Sequence, residues 1–143
     1  MSKIIAVAVL VFALPLLSGE LGEPEHVTVQ HILIAFQGTI PDAGITRSEA
    51  DAQKLAQELL MRARQGEDFD ALVKQYTDDA YPGIYSIANT GRAADAGKQE
   101  FSRSRMVKAF GDVSFGLQVG EIGMAAYDRE TSKYGWHIIK RLK

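Results

Sequence analysis

The order of apolar and polar residues after position 26 predicts strands at both ends of one domain. β-Branched and aliphatic residues dominate residues 27–36, which is typical of a largely buried strand. Residues 37–45 contain two glycines and a proline, and we expect a loop there. Residues 124–127 and 135–142 are again apolar and predict two further strands, with a turn at residues 119–121 before them.

Two helices are predicted between this loop and residue 77. Thr46 and Glu49 stand in a capping-box pattern, in which a hydroxyl and a carboxylate satisfy free N–H groups of the first turn. Alanine and leucine then recur at helical spacing to Ala63, and Gly66 marks the end. Asp68 is expected to cap a shorter helix. The buried face of that helix is predicted to be Phe69, Leu72, Val73 and Tyr76.

A third short helix is predicted to open at Ser102 or Ser104 and to carry Met106, Val107 and Phe110. Met106 and Phe110 are four residues apart, so they would share one face of this helix.

Two other features of the middle of the chain bear on its organisation. Arg103, Arg105 and Lys108 stand close together and are interpreted as a solvated helix face. Residues 80–98 are rich in glycine, alanine and polar residues and show no clear period. The resulting order of a strand, three helices and two strands predicts a small α+β domain with helices packed on a sheet.

The first residues form a separate segment with the pattern of a secretory signal peptide. Lys3 precedes an uncharged apolar run over residues 4–17, and small residues follow it. A helix of that length rises about 21 Å, which is short of the roughly 30 Å hydrocarbon core of a membrane.

Export to the periplasm or another extracytoplasmic compartment is therefore expected of the chain. Residues 1–19 would be the signal peptide, residues 20–26 a linker and residues 27–143 the folded domain. A short N-terminal anchor is the alternative, because Leu16 and Leu17 are larger than a signal peptidase prefers near the cut. Only an uncleaved segment would hold the chain at a membrane.

Composition narrows the classes of function. The chain has 143 residues and a net charge of −2, so no large basic surface for nucleic acid is expected. It contains no cysteine, which excludes disulfides, zinc–thiolate sites and a cysteine nucleophile. We expect a monomer.

Several stretches, in this order, resemble the parvulin family of peptidyl-prolyl cis/trans isomerases, also called rotamases. They are residues 30–34 (Gln-His-Ile-Leu-Ile), 66–69 (Gly-Glu-Asp-Phe), 76–79 (Tyr-Thr-Asp-Asp), 101–106 (Phe-Ser-Arg-Ser-Arg-Met) with Phe110, 114–121, and 134–140 (Tyr-Gly-Trp-His-Ile-Ile-Lys). The resemblance implies an α+β fold in which about four helices surround a four-stranded antiparallel sheet. It also implies that the chain rotates Xaa-Pro bonds of polypeptides without a cofactor or metal.

The resemblance further implies a catalytic centre of His31, Asp79 and His137. Alternation puts His31 on the strand face of its apolar neighbours Val29 and Leu33, and His137 on the face of Ile139. In parvulins two such imidazoles lie on adjacent central strands, beside a cysteine or aspartate that corresponds here to Asp79. Two histidines and a carboxylate could also hold a metal, although no local ligand spacing supports a metal site.

Four further residues are expected to bind substrate. In the family, the positions of Met106 and Phe110 line the apolar pocket for the proline ring, although their spacing is also typical of core packing. Tyr134 and Trp136 flank Gly135 just before His137 and are assigned to the same pocket. Packing within a strand is the alternative for both.

Two departures from the family pattern affect the predicted function. Residues 37–45 contain no lysine or arginine, whereas the phosphate-dependent branch places a basic cluster there, so phosphate-independent action is expected. The interval from residue 80 to residue 100 is longer than in the family and puts its usual pocket leucine near Lys98. The leading hypothesis is an isomerase acting on exported or unfolded chains. The alternative is a parvulin-fold chaperone or binding module with little or no isomerase activity.

Overall fold

The computed structural model of the chain describes residues 22–143, so the predicted export segment at residues 1–19 lies outside the described residues. In the described part no helix is long and apolar enough to cross a membrane. The predicted linker is partly described, and it contacts the domain. Asn89 Nδ2 donates to the Pro24 carbonyl over 2.9 Å, and the Asn89 N–H donates to the Glu25 carbonyl over 2.8 Å.

The fold is a single mixed sheet with helices on both faces. Its strands are β1 (His26–Ile34), β2 (Ile84–Ala88), β3 (Glu100–Ser102), β4 (Ile122–Ala125) and β5 (Trp136–Arg141). Its α-helices are α1 (Glu49–Arg64), α2 (Phe69–Tyr76) and α3 (Lys108–Gly116), with two short 3₁₀ helices at Ala96–Lys98 and Arg103–Arg105. The strand order is β3-β2-β1-β5-β4, antiparallel except for the β2–β3 pair. The predicted α+β class is confirmed, with five described strands where four were expected.

Strand alternation divides the core into two layers. On one face of the sheet α1 and α2 pack against Ile32 and Ile34 of β1 and Trp136 and Ile138 of β5. On the other face α3 packs against a second cluster that includes Val29 of β1 and Ile139 of β5. Because successive strand residues point to opposite faces, His31 and His137 both belong to the α3 side.

The helix caps agree with the sequence at α2 and differ from it at α1. The Asp68 carboxylate accepts a hydrogen bond from the Ala71 N–H at 3.0 Å, and α2 buries Phe69, Leu72 and Val73 as predicted, whereas Tyr76 is only partly buried. For α1 the cap is Ser48, whose hydroxyl accepts from the Asp51 N–H. Thr46 was the wrong choice because the helix starts at Glu49, two residues later than a cap at Thr46 requires, so its hydroxyl does not cap the first turn.

The third helix and the fourth strand are displaced from their predicted positions. Neither Ser102 nor Ser104 caps α3, which begins at Lys108 after Val107 in the N-cap position. Met106 precedes the helix in extended conformation, with φ −84° and ψ 154°, so Met106 and Phe110 do not share a helix face. Strand β4 covers residues 122–125 rather than 124–127.

Strand β2 lies inside the stretch for which no element was predicted. It has only five residues, and its first residue, Ile84, is 47% exposed. Such a short strand has too few alternating buried and exposed positions for a period to be visible in the sequence. Its pairing with the buried strand β1 defines it as a strand.

Candidate active site

The register of β1 and β5 brings the two predicted histidines together. His31 pairs with Ile139 and Leu33 pairs with His137, which makes the imidazoles diagonal neighbours on one face of the sheet. Their Nδ1 atoms are 3.2 Å apart and their ring centroids 5.3 Å apart. Both side chains are buried, at 3% and 4% exposure.

The segment that follows α2 positions Asp79 beside the two histidines. The Thr77 hydroxyl accepts from the Leu33 N–H at 3.2 Å, and the Asp78 N–H donates to the Leu33 carbonyl at 2.8 Å. The Asp78 carboxylate also accepts from the Ala35 N–H and from Arg47. These bonds fix residues 77–79 along the end of β1, and Asp79 Oδ2 lies 3.1 Å from His31 Nε2.

Tyr85 of β2 is a member of the site that sequence reasoning missed. Its hydroxyl donates to Asp79 Oδ2 at 3.1 Å, the same oxygen that contacts His31. Its ring lies 5.4 Å from the His31 ring and 6.0 Å from that of Phe110, measured between centroids. The aromatic residue stood in a stretch without a visible period, so only recognition of strand β2 could have revealed it.

The carboxylate and the second histidine both have lowered pKa values, so both disfavour binding a proton. The hydrogen bond from His31 is the main reason that the pKa of Asp79 falls to about 2, and the Tyr85 hydroxyl lowers it further. Burial lowers the pKa of His137 to about 3. At neutral pH Asp79 is therefore ionised and His137 uncharged.

The ionised carboxylate fixes the direction of the first hydrogen bond in this polar chain of side chains. An ionised carboxylate only accepts, so His31 Nε2–H donates to Asp79. His31 Nδ1 and His137 Nδ1 share a second hydrogen bond, over 3.2 Å. His137 Nε2 is buried without a hydrogen-bond partner among the described residues.

The polar chain forms part of the lining of a mostly apolar cleft of about 420 Å³. The cleft is lined by residues of β1, β2, β3, β5, α3, the second 3₁₀ helix and four connecting segments: His31, Leu33, Ile40, Asp79, Tyr85, Phe101, Arg105, Met106, Val107, Phe110, Tyr134 and His137. Phe110 lies edge-on to both imidazoles, with centroid distances of 5.0 Å to His31 and 5.4 Å to His137. A wider depression of about 580 Å³ near α2 includes none of these residues.

The structure places six of the seven predicted site residues at this cleft. His31, Asp79 and His137 form its polar centre, and Met106, Phe110 and Tyr134 line it. Trp136 does not reach it, and its assignment to the pocket is corrected. Trp136 is adjacent to His137 on β5, so its side chain points to the opposite face of the sheet and packs near Phe36 and Tyr127.

The wall that the sequence left undefined is built from two short strands. Tyr85 of β2 and Phe101 of β3 face each other with ring centroids 5.9 Å apart, and both line the cleft. Lys98, near which the pocket leucine was expected, lies in a 3₁₀ helix with its side chain 80% exposed and is not at the cleft. The long interval is therefore absorbed by the connection between β2 and β3, outside the cleft.

The metal alternative finds no geometric support in residues 22–143. No group of three or more histidine, cysteine, aspartate or glutamate side chains in this part is arranged to hold a metal ion. Both ring nitrogens of His31 already face protein partners, Asp79 and His137.

A family model and two curated relatives match this chain. Residues 14–143 match the family model of the PPIC-type PPIASE domain. The chain is 34% identical over 127 residues, 85% of its length, to Chaperone SurA of Chromohalobacter salexigens. It is 40% identical over 88 residues, 62% of its length, to Foldase protein PrsA of a Geobacillus species, strain WCH70. It spans about a quarter of these two relatives, 24% and 27% of their lengths.

A solved structure shows the same fold. The solution structure of TbPIN1 superposes with a TM-score of 0.57 at 24% sequence identity. The superposition covers 84% of this chain and 99% of that one.

Proposed function

The chain belongs to the PPIC-type peptidyl-prolyl cis/trans isomerase family, the parvulins, and from this membership we propose that residues 27–143 rotate Xaa-Pro bonds without covalent chemistry. The observation that carries the proposal is an ionised carboxylate joined to two buried imidazoles at an apolar cleft. The proposed catalytic residues are His31, Asp79 and His137. Met106, Phe110 and Tyr134 are the proposed substrate-binding residues.

The reaction requires only that the twisted amide be favoured over the planar one. The amide barrier of about 18–20 kcal/mol arises because nitrogen donates electron density to the carbonyl, which gives the C–N bond partial double character. In the twisted state this donation is lost, and the carbonyl oxygen carries less negative charge. A site that binds the twisted amide, with its less polar carbonyl, better than the planar amide therefore accelerates rotation.

The geometry of the cleft suits this requirement. Met106 and Phe110 offer an apolar surface for the proline ring, on which the ring is held while the preceding carbonyl turns. Asp79, ionised because its pKa is about 2, places negative charge beside that carbonyl. The carbonyl oxygen is more negative in the planar form than in the twisted form. Negative charge beside it therefore destabilises the planar form more strongly. Every tenfold gain in rate needs about 1.4 kcal/mol of such preference.

A phosphate is not required in this proposal. The loop between β1 and α1 lines the cleft with Ile40, an apolar residue. Arg47 at the end of that loop is bound to Asp78 and to the Ala35 carbonyl, so its guanidinium is already occupied. Unphosphorylated Xaa-Pro peptides are therefore the expected substrates.

The exchange rate of an Ala-Pro peptide, measured by NMR with the purified domain, tests the proposal. The domain is expected to accelerate exchange, and Asp79→Ala is expected to lower kcat/KM about tenfold or more. Asp51→Ala removes an exposed carboxylate from α1 and serves as the matched control. Exchange at the uncatalysed rate with wild-type protein that is folded by circular dichroism would refute isomerase activity.

A second candidate function is the binding of unfolded chains with little catalysis. The observations that favour it are the name of one relative, Chaperone SurA, and Phe101, which is 41% exposed at the edge of the cleft. This function predicts that suppression of aggregation of an unfolded client survives Asp79→Ala and His137→Ala but is lost in Phe101→Ser. Loss of suppression in all three variants would argue against it.

Export remains part of the proposal. It rests on the pattern of residues 1–19 and makes exported, proline-containing polypeptides the proposed clients, met in the periplasm or another extracytoplasmic space. The mass of the protein recovered from that compartment distinguishes a cleaved signal peptide from a retained anchor. Recovery of the full-length chain only from the cytoplasm would refute export.

A further inference from the structure

Three basic residues that cluster in the sequence have different surroundings in the structure. The Arg103 guanidinium bonds to Glu23, Asn89 and Asp112 at 2.9 Å each and lies 4.7 Å from the centroid of the Phe115 ring. Lys108 Nζ lies 2.7 Å from the carboxylate of Asp112. Both charges are therefore matched within the fold.

Arg105 is the member of the cluster whose charge is unmatched. Its side chain is exposed and has no hydrogen bond or ion pair with any residue in the described part of the chain. It lines the cleft. The other charged residue that lines the cleft is Asp79, whose Oδ2 already accepts from His31 and Tyr85. A positive group is thus available at one wall of the cleft, apart from the polar centre.

The backbone that carries Arg105 is held in place from both sides. Before it, β3 pairs with β2 through Phe101 and Ile87. After it, the Met106 N–H donates to the Arg103 carbonyl at 3.0 Å, and the Arg103 side chain is itself tied down. Binding of a ligand would therefore order the Arg105 side chain alone, at a small cost in conformational entropy.

The position of Arg105 beside Met106 determines which part of a substrate it meets. If the proline ring packs on Met106 and Phe110, the side chains of the residues flanking proline lie along the adjoining wall formed by Phe101 and Arg105. A guanidinium binds carboxylates with paired hydrogen bonds. Resting on the isomerase site proposed above, we propose that Arg105 selects substrates with an acidic residue next to the target proline.

The size of the selection follows from the exposure of Arg105. Exposed ion pairs contribute little because water and salt screen them. A peptide with glutamate next to proline is accordingly expected to bind about two- to fivefold more tightly than its lysine counterpart at low salt. This preference should disappear in 0.5 M salt, where the screening length falls to a few ångströms.

The test measures dissociation constants of Xaa-Pro peptides by NMR titration, with glutamate, glutamine or lysine placed before or after the proline. The wild-type protein is expected to prefer glutamate in at least one of the two positions. Arg105→Gln should abolish the preference and Arg105→Glu should reverse it in favour of lysine. Lys54→Glu changes the net charge equally at an exposed site on α1, away from the cleft, and should leave the preference intact.

Two results would overturn the assignment. One is a glutamate preference that persists in Arg105→Glu, and the other is an equal loss of preference in Lys54→Glu, which would indicate a general field effect. A phosphoserine peptide distinguishes the source of the charge. Binding more than tenfold tighter than the glutamate peptide would replace carboxylate selection by phosphate selection.

The exchange rates of the same peptides keep this inference separate from the isomerase proposal. Charge-selective binding without accelerated exchange would support Arg105 as the recognition residue and refute isomerase activity. Accelerated exchange with equal binding of all peptides would refute the role of Arg105 alone. Failure of every peptide to bind at millimolar concentration would refute both.

Discussion

Single atoms determine the charge state of the site. Asp79 Oδ2 receives hydrogen bonds from His31 and from Tyr85, each at 3.1 Å. Two donors on one oxygen of a half-buried carboxylate favour its ionised form, and the pKa of Asp79 is about 2 in consequence. Tyr85 thus supports the polar centre while its ring forms a wall of the cleft.

Tyr85→Phe isolates the contribution of this hydroxyl. The substitution keeps the ring and removes one hydrogen bond to the carboxylate, so kcat/KM is expected to fall by about tenfold or less. Exchange rates of the Ala-Pro peptide measure the effect. Tyr127→Phe is the matched control, because the Tyr127 hydroxyl has no hydrogen-bond partner among residues 22–143 and its ring packs on the opposite face of the sheet, near Phe36 and Trp136. Equal losses in the two variants would show that the bond to Asp79 has no effect on catalysis.

Gly83 brings the chain close to His31. Its φ is +65°, and a Cβ atom there would lie 2.8 Å from the His31 carbonyl oxygen and 3.2 Å from His31 Cδ2. Gly44 has nearly the same φ, +68°, with no atom within 4 Å of such a Cβ. An alanine at either position would therefore suffer similar backbone strain, but only an alanine at position 83 would also press against His31.

Gly83→Ala is expected to lower both stability and activity, while Gly44→Ala is expected to lower stability alone. The φ strain costs about 1–2 kcal/mol at each position, and the contact with β1 adds to this at Gly83. Urea denaturation gives the free energies of unfolding, and peptide exchange gives the activity. Full activity in Gly83→Ala would show that β1 moves aside without disturbing His31.

At the scale of secondary structure, helix ends decide where functional residues stand. α2 ends at Tyr76, and residues 77–79 then bond to the backbone of β1 at Leu33 and Ala35. This arrangement places Asp79 beside His31 without a regular element of its own. The start of α1 depends in the same way on one side chain, the Ser48 hydroxyl.

Ser48→Ala tests the cap that the structure shows against the one that the sequence suggested. Loss of the Ser48 hydroxyl leaves the Asp51 N–H without its partner, so the free energy of unfolding should fall by about 1 kcal/mol. Thr46→Ala should change it by a few tenths of a kcal/mol at most, because Thr46 is outside the helix. Urea denaturation of both variants measures this. A larger effect at Thr46 than at Ser48 would contradict the assignment.

At the scale of the whole molecule, folding buries titratable groups that the unfolded chain exposes. His137 has a pKa of about 3 in the fold because it is buried, against an ordinary value of 6.5. Asp79 has a pKa of about 2 against an ordinary value of 3.8. Between the folded and unfolded values the unfolded chain binds more protons, so both groups make stability fall as the pH is lowered.

Acidification should therefore weaken the fold in two ranges of pH. His137 reduces the free energy of unfolding as pH falls from about 6.5 to about 3, and Asp79 adds to this below pH 3.8. Urea titrations between pH 7.5 and 4.5 measure the slope. His137→Phe removes the titrating group and should flatten the slope in this range, whatever its effect on stability at pH 7. Parallel slopes for wild type and variant would show that another group is responsible.

The sequence alone determined the strongly periodic elements and the polar centre. β1, α1, α2 and β5 repeat their apolar residues often enough to be visible, because each buries one continuous face. His31 and His137 stood within such strands, so alternation placed each on one face of its own strand, while the expectation that the two imidazoles meet came from resemblance to the parvulins. Their pairing with Asp79 came from resemblance to the parvulins, since nothing near Asp79 in the sequence indicates an imidazole partner.

Only the tertiary structure decided how the cleft is walled. β2 and β3 are too short to have a period; β2 is stabilised as a strand by pairing with the buried strand β1, and β3 by pairing with β2. That pairing places Tyr85 and Phe101 at the cleft, next to Arg105, whose side chain has no ion pair among residues 22–143. Trp136 is next to His137 in the sequence, but its side chain lies on the opposite face of the sheet, outside the cleft. Contacts between residues far apart in sequence determine these placements, and local pattern cannot report them.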